Sequence, residues 1–124
     1  MSRTCRVLVV DESPYLGDVL ASALEREACH VAVARTPAHA LQLASSSLPD
    51  VIIVDLAQRS ECDLLARLSG DRALSRVPVV LISTDPVAAR RRSGERVSRV
   101  FGKPFYMSEV VAAVLETVGW PAHP

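Results

Sequence analysis

A chain of 124 residues fits one domain and can bury a continuous core without disulfide or metal staples. Its 14 basic and 14 acidic side chains cancel, which removes the electrostatic case for nucleic-acid binding by the domain as a whole. No apolar run approaches the ~20 residues needed to span a bilayer, and the first residues lack the apolar core of a signal peptide, so no membrane partner is expected and the cytoplasm is the expected compartment.

The three cysteines, Cys5, Cys29 and Cys62, show no CxxC spacing, which argues against a disulfide framework or a zinc site and for small buried or half-buried thiols in a reducing compartment. Aromatic residues make up 4%, so aliphatic side chains must fill the core. Of the 14 basic residues all but Lys103 are arginine, which draws attention to the one place where an ammonium is kept.

In chain order, the aliphatic run Val7–Val10 reads as a strand that stops at Asp11-Glu12. Leu16, Leu20 and Leu24 recur every four residues, so about Pro14–Glu27 is an amphipathic helix, with Pro14 suited to its first turn. His30–Ala34 is a weaker strand. Thr36-Pro37 opens a second helix to about Ser45, Thr36 being the N-cap. Val51–Val54 is a strand ending at Asp55. A short third helix is expected over Cys62–Leu68, and Val79–Ile82 is a strand ending at Ser83-Thr84. Asp85 caps a fourth helix that ends near Gly94 and carries Arg90, Arg91 and Arg92, a solvated or partner-contacting surface. Val97–Phe101 is a weak fifth strand, and Ser108 is expected to cap a fifth helix with Val110, Val111, Val114, Leu115 and Val118 as its apolar stripe.

Five alternations of strand and helix predict an α/β fold, a doubly wound five-stranded parallel sheet with helices on both faces, in the flavodoxin-like order 2-1-3-4-5. Continuous aliphatic strands fit a sheet buried on both sides. Ligands in such sheets bind beyond the carboxyl ends of the strands. Asp11, Glu12, Asp55 and Ser83 stand at those ends, with Lys103 after the fifth strand. Three carboxylates in one cleft demand a cation, and Mg²⁺ suits few carboxylates plus waters. A carboxylate beside Mg²⁺ can act as a nucleophile toward phosphorus, while the ammonium of Lys103 and the hydroxyl of Ser83, or of Thr84, contact phosphoryl oxygens. His30, His39 and His123 have no metal spacing and read as surface or structural residues.

The text VLVVDES, PDVIIVDL, VPVVLIST and GKPF, in that order and at that spacing, resembles the response regulator receiver domains, the CheY-like family, over essentially the whole chain. The resemblance implies a two-component signalling switch in which a sensor histidine kinase or phosphotransfer protein supplies a phosphoryl group to Asp55. It implies Mg²⁺ held by Asp11, Glu12, Asp55 and the backbone carbonyl of Ala57. Ser83 would be the switch hydroxyl and Lys103 the phosphate contact, followed by a cis bond to Pro104. The domain would be no conventional enzyme but would catalyse its own phosphorylation and dephosphorylation. Residues 1–120 form the receiver and 121–124 a tail or linker stub; a downstream protein would read the face of the fourth helix, fifth strand and fifth helix, with the domain a monomer or weak homodimer.

The chain departs from the family in two places. The family's Met-Pro and Asp-Gly after the phosphoacceptor are replaced by Leu56-Ala57-Gln58-Arg59-Ser60-Glu61-Cys62-Asp63, a loop about two residues short, and the aromatic three residues before the lysine is Val100. These departures motivate the alternative of a degenerate receiver that works as a phosphorylation-independent interaction module. A haloacid-dehalogenase-type phosphatase would need an acid where Ala57 stands, and no GxGxxG pattern supports a dinucleotide site.

Overall fold

The three strongest aliphatic runs become the three inner strands, because only a position with neighbours on both edges and helices on both faces hides four consecutive side chains. The computed structural model describes residues 4–120. The expected tail at 121–124, with His123, lies outside the described residues. The strands are β1 (Cys5–Asp11), β2 (Cys29–Ala34), β3 (Val51–Asp55), β4 (Val79–Ser83) and β5 (Arg99–Gly102). They pair in parallel in the order β2-β1-β3-β4-β5, the flavodoxin-like arrangement expected from the alternation. β3 and β4 each bury four residues in a row, whereas the edge strands β2 and β5 leave several positions open or only partly covered. That partial cover is why the edge strands carry the weaker signal in the sequence.

Five helices complete the fold: α1 (Pro14–Glu25), α2 (Pro37–Ser46), α3 (Gln58–Gly70), α4 (Pro86–Ser93) and α5 (Met107–Val118). Successive side chains of a strand point to opposite faces, so the sheet feeds two cores. Val7, Val9, Ile53 and Ile82 pack with Leu20 and Leu24 of α1 and Val110 and Val114 of α5. Leu8, Val10, Ile52 and Val54 pack with Ala40 of α2, Leu64 and Leu68 of α3 and Ala89 of α4. Among the described residues no helix is long and apolar enough to cross a membrane.

Several boundaries differ from the sequence reading. α1 ends at Glu25, and the chain turns through Ala28 at φ 63 into β2. α3 starts at Gln58, four residues before Cys62, so the shortened loop after β3 is only Leu56-Ala57. The strand near the C-terminus begins at Arg99, Val97 being buried from the turn before it. α5 starts at Met107, because the extended backbone at Tyr106 (φ -88, ψ 128) leads straight into the helix; Ser108 is inside its first turn and does not cap it. Thr36 and Asp85 do cap, accepting hydrogen bonds from the amides of His39 and Ala88.

Cys62 is exposed rather than half-buried, since the longer α3 turns it outward. Cys5 and Cys29 are buried register partners on β1 and β2 with their sulfurs 2.7 Å apart. Burial first, and then the hydrogen bond to Cys5, push the Cys29 thiol up to about 12. His30 and His39 are exposed.

Candidate functional site

Parallel pairing sets β1 and β3 side by side with Asp11 opposite Asp55, so the two strands deliver their terminal carboxylates to one point. The six residues singled out from the sequence, Asp11, Glu12, Asp55, Ala57, Ser83 and Lys103, all line one cavity of about 400 Å³ at the carboxyl ends of the strands.

Asp11 is only 1% exposed. Its carboxylate accepts the amides of Ser13 and Gly17, each at 2.9 Å, so the first turn of α1 grips it. Gly17 allows this grip: a Cβ there would lie 2.9 Å from Val33 Cγ1, and the helix would have to stand farther off. Burial raises the Asp11 carboxyl above its ordinary 3.8; the two amides partly offset that, Asp55 adds to the rise and Lys103 opposes it. Glu12 is exposed and reaches across the cleft, its Oε1 accepting the Ala57 amide at 2.6 Å. The Ala57 carbonyl accepts the Glu61 amide at 2.9 Å as the first bond of α3.

Lys103 Nζ stands 2.7 Å from Asp55 Oδ1. The peptide bond from Lys103 to Pro104 is cis, as the resemblance implied. Ser83 Oγ accepts the Asp85 amide at 3.0 Å, which leaves its own hydrogen to donate toward the cavity. Thr84 lines the same cavity from a more exposed position. Val100 faces the α4 side of the sheet and Phe101 the opposite core, so no aromatic ring of β5 faces α4.

The donor set is chemically suited to Mg²⁺: hard oxygen atoms from Asp11, Glu12 and Asp55 around an open cavity, with the Lys103 ammonium beside Asp55. Among the described residues no three acidic, histidine or cysteine side chains are gathered closely enough to hold a metal ion by themselves.

The sequence reading missed one pair on the same cavity. Glu61, in the first turn of α3, is 2% exposed, and its carboxylate is met by Arg92 Nη2 of α4 at 3.0 Å. The hydrogen bond to Glu61 is the first reason the Arg92 guanidinium holds its proton more tightly than usual. The arginine run of α4 is therefore not simply a solvated or partner-facing surface. Arg90 donates to the carbonyls of Gly94 and Val97, closing the helix end, Arg92 is committed to Glu61, and Arg91 is exposed. A polar run flanking the acceptor could have flagged Glu61, but a partner 31 residues away leaves no local signal.

Comparison with known proteins fits this geometry. The family model for the response regulator receiver domain matches residues 7–115. The probable transcriptional regulatory protein TcrX of Mycobacterium tuberculosis is 30% identical over 109 residues, covering 85% of this chain and 46% of that protein. The chain thus spans about half the length of the curated relative it matches. The non-phosphorylated HemR receiver domain from Leptospira biflexa superposes with a TM-score of 0.79 at 23% identity, covering 98% of both chains. The receiver domain of sensor histidine kinase PA1611 from Pseudomonas aeruginosa, with magnesium coordinated in its active site cleft, superposes with a TM-score of 0.80 at 18% identity, over 94% of this chain and 99% of that one.

Proposed function

Since the chain belongs to the response regulator receiver family of two-component systems, we propose that it is a Mg²⁺-dependent switch that accepts a phosphoryl group on Asp55 from a histidine kinase or phosphotransfer protein. The observation that carries the reading is the 2.7 Å contact between Lys103 Nζ and Asp55 Oδ1, with Asp11 in register beside it.

Asp55 is half-buried at the end of β3, open enough to be attacked from the cavity and too enclosed to rotate freely. One of its carboxylate oxygens attacks phosphorus; the Oδ–P bond forms as the donor's bond to phosphorus breaks, and the donor leaves with that electron pair. Lys103, already at the acceptor oxygen, shifts its contact to a phosphoryl oxygen as charge accumulates there, and the Ser83 hydroxyl donates to another. Asp11, Glu12, Asp55 and the Ala57 carbonyl would hold Mg²⁺, the carbonyl through the lone pair not used by Glu61. Bound there, the ion supplies neutralisation of the negative charge on the incoming group.

Residues 1–120 act as the receiver unit, in the cytoplasm, as a monomer or weak homodimer. The changed state is read by a downstream protein on the face of α4, β5 and α5. The membrane and nucleic acid are not partners of this domain.

Incubation with Mg²⁺ and acetyl phosphate should add one phosphoryl group by intact mass, and Asp55→Asn or chelation of the metal should abolish the adduct. Failure of the wild type to gain that mass, with the small donor and with a cognate kinase alike, would leave the phosphorylation-independent interaction module as the reading.

A further inference from the structure

Glu61 and Arg92 form an ion pair with one partner almost wholly buried and the other able to move. The Glu61 side chain is 2% exposed and that of Arg92 is 25% exposed. The pair joins α3, which follows Asp55, to α4, which follows Ser83. Both residues line the cavity that holds Asp55 and Lys103. A guanidinium on a long side chain at the wall of that cavity can turn toward a new anion within it, and planar guanidinium geometry suits phosphoryl oxygens. Glu61 holds it away while Asp55 is unmodified, because a buried carboxylate stripped of its cation is costly. The aromatic side chain that could couple the site to α4 is missing: the β5 residue facing that side is Val100.

We propose that Arg92 is a second cationic contact for the phosphoryl group on Asp55, held in reserve by Glu61 and handed over when the group arrives, so that α4 is freed from α3. The inference rests on the reading of Asp55 as phosphoacceptor. In the unmodified protein Arg92 bridges the two helices. In the modified protein the dianionic group outcompetes the single charge of Glu61, Arg92 swings to it, and α4 loses its tie to α3. No covalent bond changes in this step; one hydrogen bond is exchanged for another.

The handover makes the two members of one ion pair act in opposite directions. Removing the Glu61 charge frees Arg92 for the cavity, whereas removing the Arg92 charge deletes the contact. A pair that merely holds two helices together would give shifts of the same sign whichever partner is changed, and one that acts only through the net charge of the cavity would leave Arg92→Lys at the wild-type affinity. The test is the affinity for beryllium fluoride, a non-covalent phosphoryl mimic, in the presence of Mg²⁺, measured by titration on the full chain, with uptake from acetyl phosphate followed by mass in parallel. Glu61→Gln should bind the mimic about tenfold more tightly than wild type and Arg92→Gln about tenfold more weakly, the scale of one charged hydrogen bond. Arg92→Lys, which keeps the charge, should fall between Arg92→Gln and wild type. Should Glu61→Gln fail to fold, the ordering of Arg92→Lys above Arg92→Gln carries the test, and equal affinity of those two overturns it. A wild type that takes up the phosphoryl group while both charge-removing variants shift the same way, or not at all, overturns the handover alone. A wild type with neither uptake nor mimic binding overturns the handover and the reading of Asp55 together.

Discussion

At the scale of single residues, the site is a contest between burial and compensation, and Asp11 shows it most clearly. Burial raises its carboxyl above 3.8, and the amides of Ser13 and Gly17 recover only part of the cost. In the metal-free protein the folded state therefore binds the Asp11 proton more tightly than the unfolded chain does. Stability contributed by this group falls as pH rises from 3.8 through the raised value, and stays lower above it. A bound cation reverses the balance by favouring the carboxylate, and where the pH lies below the raised value binding releases the proton. The melting temperature should thus rise with Mg²⁺ at neutral pH, by the equivalent of about 2.7 kcal/mol at a concentration about 100 times Kd. That rise should shrink as pH is lowered toward the raised Asp11 value. Thermal melts from about pH 8 to about pH 4, with and without the ion, check this; a metal-induced shift that is flat across the range would remove Asp11 from the ligand set.

At the scale of elements, capping decides where the helices begin, and its signals differ in strength. Thr36 accepts the His39 amide at 3.1 Å with Pro37 in the first turn, a signal complete within four residues of sequence. Thr36→Ala should cost about 1 kcal/mol, seen as a fall in melting temperature of about 4 °C, and should leave phosphoryl uptake unchanged because α2 does not line the cavity. A loss of uptake at unchanged stability would show that α2 bears on the site. α2 and α4 were legible for the same reason, a Thr or Asp oxygen at the start and a proline in the first turn, and α1 through its leucine spacing and Pro14. The inner strands were legible because a strand covered on both faces must be aliphatic throughout. α3 was not legible at its start, where Ala57 offers no capping oxygen and Gln58-Arg59-Ser60-Glu61 reads as loop. Glu61 is the reason: a buried charge looks like a surface charge until the arginine that compensates it is brought in from α4. Asp11, Glu12, Asp55, Ser83 and Lys103 could be gathered from sequence because topology places strand ends together. The Glu61–Arg92 contact could not, because it depends on how two helices lie on the sheet.

At the scale of the whole molecule, the central sheet couples two cores that share no side chains. Ile52 is 1% exposed and points to the layer of α2, α3 and α4, while its neighbour Ile53 is 0% exposed and points to the layer of α1 and α5. Both sit on β3, hydrogen-bonded to β1 on one side and β4 on the other. Neither layer can come apart without exposing the sheet face that the other depends on for its backbone order. Trp120, the single tryptophan, reports on one layer only: it packs against the α1/α5 core, and its indole Nε1 donates to the Glu27 carbonyl at 2.8 Å. Ile52→Ala and Ile53→Ala should each destabilise by about 2–5 kcal/mol, a large share of a total of about 5–15 kcal/mol. In both variants the Trp120 fluorescence transition should coincide with the loss of secondary structure followed by circular dichroism, even though Ile52 is in the layer Trp120 does not touch. If the fluorescence midpoint moved with Ile53→Ala and stayed at the wild-type value in Ile52→Ala, the layers would melt independently. A phosphoryl signal received between α3 and α4 could then not be felt across the sheet.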